Sequence, residues 1–185
     1  MMSLRPATPA DAAAIAAIYA PYVVSSAATF ETEPPSVKEM KARITTAADI
    51  YPWIVCADDE SGVILGYAYA AAFHNRTAYR WAAETSVYVA GGFQGRGVGR
   101  MLYTALIATL REQDFAQAVA LISLPNDYSI KLHEAMGFKR AGVFREVGYK
   151  NNRWIDVGIW QRELAEPAAP PTETKPFSAV GIVLR

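Results

Sequence analysis

The sequence predicts a single α/β (α+β) domain with a mixed central sheet, and three observations carry that reading. The strand-like stretch Glu84–Val89 runs through a glycine-rich turn into a helix. A second strand-like stretch, Ala116–Leu124, follows that helix, so a crossover would set the two strands parallel. Upstream, Trp53–Ala57 and Val63–Phe73 flank the turn residues Asp58–Gly62 and read as an antiparallel hairpin. Finally, 185 residues of which 52% are hydrophobic suit one domain with a substantial core.

Taken in order, Ser3–Ala7 reads as a short first strand. Thr8-Pro9-Ala10-Asp11 is a helix start: Thr8 can cap, Pro9 suits the first turn and Asp11 complements the helix dipole. Ile15, Ile18, Tyr19 and Tyr22 then form an apolar stripe. Ala27–Glu33 is a loop or short extended piece before Pro34-Pro35, and Ser36 opens a second helix carrying Val37, Met40 and Ile44. Cys56 lies between Val55 and Ala57 in the hairpin and reads as a small buried hydrophobe rather than a nucleophile. His74–Trp81 is a polar and aromatic loop leading to the Glu84 strand.

In that strand Val87, Tyr88 and Val89 are residue types that favour pleated, partly buried positions. Gln94-Gly95-Arg96-Gly97-Val98-Gly99 fits Q-x-x-G-x-G, and Val98, Met101, Leu102, Ala105, Leu106 and Thr109 recur at helical spacing behind it. Strand, glycine loop and helix start together make an anion site. The first-turn N–H groups lack partners, and glycine lets a phosphate approach the backbone. No Lys-Ser/Thr pair follows the last glycine, so this is not a Walker A loop; the alternating glycines also fail the dinucleotide fingerprint. By itself such a loop can equally be a plain structural turn.

Past Ala116–Leu124, Asn126 caps a helix bearing Ile130, Leu132, His133 and Met136 that stops at Gly137. Lys139–Val147 and Arg153–Trp160 read as two closing strands joined by residues 148–152. The domain is expected to span 1–164. Residues 165–185 form a Pro-rich tail whose apolar end, Phe177–Arg185, can dock on a sheet edge or a partner, or stay disordered.

Composition narrows the function classes. The 18 Lys and Arg residues balance 18 Asp and Glu, so no global charge points to nucleic acid or an anionic membrane. The longest apolar run, Gly62–Phe73, is too short to span a bilayer, and the early Arg5, Pro6, Pro9 and Asp11 do not make a secretory signal. One cysteine allows no internal disulfide, and a cytoplasmic setting follows by default.

The order strand, Q-x-x-G-x-G, helix resembles the acetyl-CoA pyrophosphate loop of the GNAT N-acetyltransferase superfamily. The run N-D-Y-S-I-K-L-H-E-A-M-G-F from Asn126 resembles that superfamily's second hallmark, although His133 stands where many members have a tyrosine that protonates the leaving thiolate. Residues 3–164 are similar to the phosphinothricin and methionine sulfoximine acetyltransferases. The matching pieces are T-F-E-T-E-P (29–34), Y-P-W (51–53), R-T-A-Y-R-W (76–81), E-T-S-V-Y-V (84–89), L-P-N-D-Y-S-I-K-L-H-E (124–134) and V-G-Y-K-N-N-R-W-I-D-V-G-I-W-Q (147–161).

This resemblance implies a mostly antiparallel twisted sheet, splayed at the acetyl-CoA site and flanked by about four helices. It implies acetyl transfer from acetyl-CoA to the α-amine of a small glutamate-like amino acid, without a metal, by a homodimer. An ammonium ion cannot attack a thioester, so a base is needed. Glu84 is the one carboxylate in the core of its strand, with Ser86 and Tyr88 on its face; the alternative is an ion pair with Arg76 or Arg80. His133 is the matching candidate to order the site or protonate the thiolate. By correspondence, Val87, Tyr88 and Val89 meet the thioester and pantetheine. Gln94, Gly95, Arg96, Gly97, Val98, Gly99 and Arg100 meet the pyrophosphate, with Asn126 and Ser129 near the cofactor. Substrate contacts fall on His74, Asn75, Arg76, Tyr79, Thr85 and Ser86, with Phe30 as a candidate pocket wall or core residue. Two other readings stay open: acetylation of another amine or a peptide N-terminus, and an acetyl-CoA-binding module without turnover.

Overall fold

A computed structural model describes residues 1–184. One seven-stranded sheet runs through it, in the order β1-β2-β3-β4-β5-β7-β6. The strands are β1 (Met2–Pro6), β2 (Trp53–Asp58), β3 (Ile64–Ala72), β4 (Ala82–Val89), β5 (Gln117–Ser123), β6 (Lys139–Lys150) and β7 (Arg153–Glu163). Every neighbouring pair is antiparallel except β4 and β5. The helices are α1 (Ala12–Ser25), α2 (Val37–Ala47), α3 (Val98–Glu112), α4 (Asp127–Ala135) and the single turn α5 (Phe177–Val180).

The helices cover both faces of the sheet. Ile15, Tyr19 and Val23 of α1 and Met40 and Ile44 of α2 bury against Trp53, Val55 and Tyr67. Leu102, Leu106 and Leu110 of α3 bury against Ile54, Ala68 and Ala83 from the other side, where Cys56 is also fully enclosed. Alternation along β2 explains this division, since Val55 and Cys56 point to opposite faces. Gly66 lets α3 lie close: a Cβ there would meet the Tyr88 carbonyl at 2.9 Å and Val98 Cγ1 at 3.0 Å.

The parallel pair is short. Ala82, Ala83 and Glu84 pair with Gln117, Ala118 and Val119, and the register stops there. From Thr85 onward β4 continues beside β3 alone, with Ser86 opposite Tyr69 and Val89 opposite Gly66. The sheet is therefore split beyond Glu84, and backbone groups of β4 face the gap.

Three elements differ from the sequence reading. The first helix starts with a turn of 3₁₀ helix, Pro9–Asp11, before α1. Asp11 folds back onto the Thr8 N–H at 2.7 Å and takes both Arg5 guanidinium nitrogens at 2.8 and 2.7 Å, so it is a bound partner and more than a dipole complement. The joint between the closing strands is only Asn151-Asn152, at φ 53° and 57°, because Gly148, Tyr149 and Lys150 stay in β6. Asparagine tolerates this left-handed region, which a two-residue hairpin turn needs. The tail folds back on the domain without adding a strand to the sheet. Gln113 Nε2 donates to the Ile50 and Lys175 carbonyls at 2.8 and 2.9 Å, Val183 N–H donates to Thr109 Oγ1 at 3.0 Å, and Phe177 is buried.

Candidate active site

Two cavities meet at the split. The first lies between the parted strands and α4, lined by Thr85, Ser86, Val87, Tyr88, Val89, Leu121, Asn126, Tyr128, Ser129 and His133 among others. The second lies on the α1 side, lined by Tyr19, Phe30, Glu31, Tyr69, Glu84, Ser86, Tyr88, Phe144 and Val147 among others. Ser86, Tyr88, Ala28, Leu121 and Ser123 belong to both walls, so the cavities communicate beside Ser86.

The first cavity is a backbone groove. The Tyr22 hydroxyl, reaching over from α1, donates to the Val89 carbonyl at 2.7 Å, which places that carbonyl on the open side of β4. By strand alternation the Val87 amide and carbonyl face the same way. Nothing from β5 pairs with them, so the groove can accept an extended chain bearing amides.

At the mouth of the groove the glycine loop passes into α3. Gly95 and Gly97 hold φ 75° and 86°, and Gly97 is the residue from which α3 starts. This left-handed start is why glycine is needed here: it turns the N–H groups of Val98, Gly99 and Arg100 outward without helical partners. The Tyr128 hydroxyl accepts from Gly95 N–H at 3.1 Å and ties α4 to the loop. Gln94 turns inward instead, its Oε1 accepting from Gly92 N–H at 3.0 Å, so it shapes the loop. Arg96 and Arg100 are exposed beside it. Gly99 lets Leu132 of α4 approach; a Cβ there would sit 3.2 Å from Leu132 Cδ2. Asn126 caps α4 with its Oδ1 on Ser129 N–H at 3.1 Å.

Glu84 sits at the last residue of the parallel ladder, and its side chain lines the second cavity. No ion pair or hydrogen bond reaches its carboxylate among the described residues. Arg80, one alternative partner, pairs with Glu173 at 2.6 Å, and Arg76 is exposed in the loop. Desolvation by burial pushes the Glu84 pKa above the usual carboxylate value. An unpaired, half-buried carboxylate beside the joint of two cavities is equipped to take a proton.

The remaining sequence candidates divide. Ser86 lies where predicted, on the shared wall, and Phe30 walls the second cavity. Thr85 belongs to the groove side, buried against the Tyr103 hydroxyl at 3.2 Å, because the alternation that exposes Glu84 and Ser86 to the second cavity turns Thr85 away. His74, Asn75, Arg76 and Tyr79 line neither cavity within one chain. After β3 ends at Ala72 the chain turns outward, and the Tyr79 ring packs on Phe73 and His74. His133 is buried, and both of its nitrogens are taken by Tyr103 and Ser129 at 2.7 Å. Burial lowers its pKa, which favours the neutral ring.

Several lining residues escaped the sequence reading. Tyr19, Tyr22, Tyr69 and Leu121 look like ordinary core positions in their periodic stripes. Phe144 and Val147 reach the second cavity because β6 bulges between Phe144 and Gly148, where Asp156 Oδ1 accepts from Glu146 N–H at 2.8 Å.

Known proteins share this construction. Residues 4–159 match the acetyltransferase (GNAT) domain family. The chain belongs to that family. It is 41% identical over 179 residues to a phosphinothricin N-acetyltransferase of Streptomyces viridochromogenes, covering 97% of this chain and 96% of the relative. It is 35% identical to an L-methionine sulfoximine/L-methionine sulfone acetyltransferase of Salmonella typhimurium, over 91% of this chain and 98% of that one. The crystal structure of a Sinorhizobium meliloti phosphinothricin acetyltransferase in complex with AcCoA superposes with a TM-score of 0.87 at 40% identity, covering 93% and 94% of the two chains. The GNAT acetyltransferase is thus an enzyme of acetyl transfer, and its split β4–β5 pair is the feature around which the site is built.

Proposed function

We propose that this chain transfers acetyl from acetyl-CoA to the α-amine of a small glutamate-like amino acid such as L-phosphinothricin or L-methionine sulfoximine. The observation that carries the reading is the unpaired Glu84 carboxylate beside the joint of the groove and the second cavity. The named relatives act on such amino acids or bear their names.

In this reading the groove takes the donor. Loop amides from Gly95 to Arg100, with Arg96 and Arg100 nearby, hold the pyrophosphate. The open backbone of Val87 pairs with a pantetheine amide, next to the Val89 backbone held by Tyr22, and Asn126 and Ser129 line the other wall. The second cavity takes the amino acid. Glu84 removes a proton from its ammonium group, directly or through a water. The freed nitrogen bonds to the thioester carbonyl carbon, a backbone N–H of β4 stabilises the oxyanion, and the C–S bond breaks to leave the CoA thiolate. The His74–Arg76 loop and Tyr79 enter this proposal by resemblance alone, with Arg76 as the partner for a substrate carboxylate.

We also propose a homodimer. Phe144 and Val147 are exposed at the second cavity, and Tyr149 and Trp154 pack edge to face and are exposed elsewhere on the β6–β7 hairpin, the kind of apolar surface that a partner covers. Residues 1–164 carry the catalytic fold in this view, with 165–184 as a docked tail and Arg185 outside the described residues. The lone buried cysteine suits a reducing cytoplasm.

The test is CoA release from acetyl-CoA with a panel of amines, run with the parent and Arg76→Ala. Turnover with phosphinothricin or methionine sulfoximine, and a KM for that amino acid raised about tenfold to a hundredfold in Arg76→Ala, is the expected result. Turnover only with peptide N-termini, or none at all, rejects the substrate assignment.

A further inference from the structure

Behind the groove lies a chain of polar groups that the reaction as described does not use. Thr85 on β4, Tyr103 on α3 and His133 on α4 are 3%, 0% and 4% exposed. The Tyr103 hydroxyl lies 2.7 Å from His133 Nε2 and 3.2 Å from Thr85 Oγ1. Across the imidazole, Nδ1 lies 2.7 Å from the Ser129 carbonyl oxygen and 3.3 Å from the Ser129 hydroxyl. Thr85 Oγ1 donates to the Val119 carbonyl at 3.4 Å.

The chemistry of these groups selects one arrangement of protons on the imidazole. A carbonyl oxygen only accepts, so Nδ1 carries the proton that meets Ser129. Nε2 is then a lone pair, and Tyr103 must donate to it. The chain also stands at a particular place in the sheet. Glu84 and Val119 are the last paired residues of β4 and β5, and Thr85 is the first residue past the split. Its hydroxyl takes the Val119 carbonyl just where the ladder gives out, in keeping with the need of buried carbonyls for partners.

We propose that Tyr103 is a positioning residue for acetyl transfer: by donating to Nε2 its hydroxyl fixes the His133 imidazole as the Nδ1–H tautomer and ties α4 to α3 behind the groove. This rests on the groove being the donor site. With both nitrogens engaged, His133 has no N–H left for a departing thiolate. Its part is to hold the turn of α4 that carries Ser129, and Tyr103 holds His133.

Nitrogen-15 NMR of the imidazoles in the substrate-free protein tests the tautomer, and steady-state kinetics tests the role. The parent should show His133 protonated at Nδ1 and bare at Nε2. Tyr103→Phe should move those shifts and lower kcat roughly tenfold, the scale of one unsatisfied buried acceptor, with KM for acetyl-CoA little changed. If Tyr103→Phe does not fold, the parental spectrum decides the tautomer by itself. An Nε2–H tautomer in the parent, or parental shifts or parental kcat in Tyr103→Phe, overturns the proposal. A parent that releases no CoA with any amine overturns acetyl transfer and Tyr103's role in it, while the spectrum still decides the tautomer by itself.

Discussion

The groove and the second cavity meet beside Ser86, yet they are made in different ways. Most of the groove comes from two continuous stretches, Thr85–Arg100 and Asn126–His133, and much of its recognition surface is backbone. The second cavity draws on α1, the loop at residues 28–31, β3, β4, β5, the bulge in β6 and one residue of β7, and its surface is side chain. The difference follows from the ligands. A pyrophosphate and a row of amides can be met by N–H and C=O groups, which any sequence has once glycines and a strand end present them. A small amino acid must be told from its neighbours by shape and charge, and that takes side chains gathered from several elements.

The largest test of this contrast is Glu84→Gln, which keeps shape and removes the base. Its kcat should fall by roughly a hundredfold to ten-thousandfold, with acetyl-CoA affinity unchanged by calorimetric titration. A variant with parental kcat and the same acidic limb of the pH–rate profile would make Glu84 structural.

Next in size is Gly97→Asp on the groove side. The residue sits at φ 86°, so any side chain is strained, and a carboxylate there opposes a phosphate. CoA affinity should drop about tenfold or more, because the carboxylate opposes the pyrophosphate, while the amino-acid side of a folded variant is unaffected.

Gly148→Ala probes the opposite half. A Cβ on Gly148 would collide with the Phe30 ring, which walls the second cavity. The loop at 28–31 must move, although Lys150 Nζ holds it by donating to the Thr29 carbonyl at 2.8 Å. Overpacking of this kind costs about 1–3 kcal/mol. KM for the amino acid should rise by about tenfold and KM for acetyl-CoA should stay in place. Equal changes in both constants would show that the two halves are not separable.

The smallest expected effect is on stability. Burial raises the Glu84 pKa, so the folded state binds its proton more tightly than the unfolded chain does. That contribution is fully present below the unfolded carboxylate value and is lost as pH rises through the folded one. At neutral pH Glu84 therefore weakens the fold. Glu84→Gln should melt at or slightly above the parental temperature at pH 7, and the gap should close in acid. A lower melting temperature at pH 7 would reveal an ion pair that this structure lacks.

The sequence by itself determined what depends on neighbours along the chain. The hairpin of β2 and β3, the crossover from β4 through α3 to β5, the glycine start of α3, the Asn126 cap and the Gly137 stop are all local patterns of periodicity and backbone preference. Glu84 was legible as a candidate base because it is the one carboxylate in the core of its strand. Only the tertiary structure decided where β4 and β5 part, at the point where the Thr85 hydroxyl meets the Val119 carbonyl. It put Tyr22 on the Val89 carbonyl. It also brought Phe144 and Val147 to the cavity through a bulge, and left the His74–Arg76 loop outside both cavities of a single chain. These outcomes rest on contacts between residues tens of positions apart. Such contacts leave no spacing in the sequence, because a core tyrosine and a site tyrosine occupy the same place in an apolar stripe.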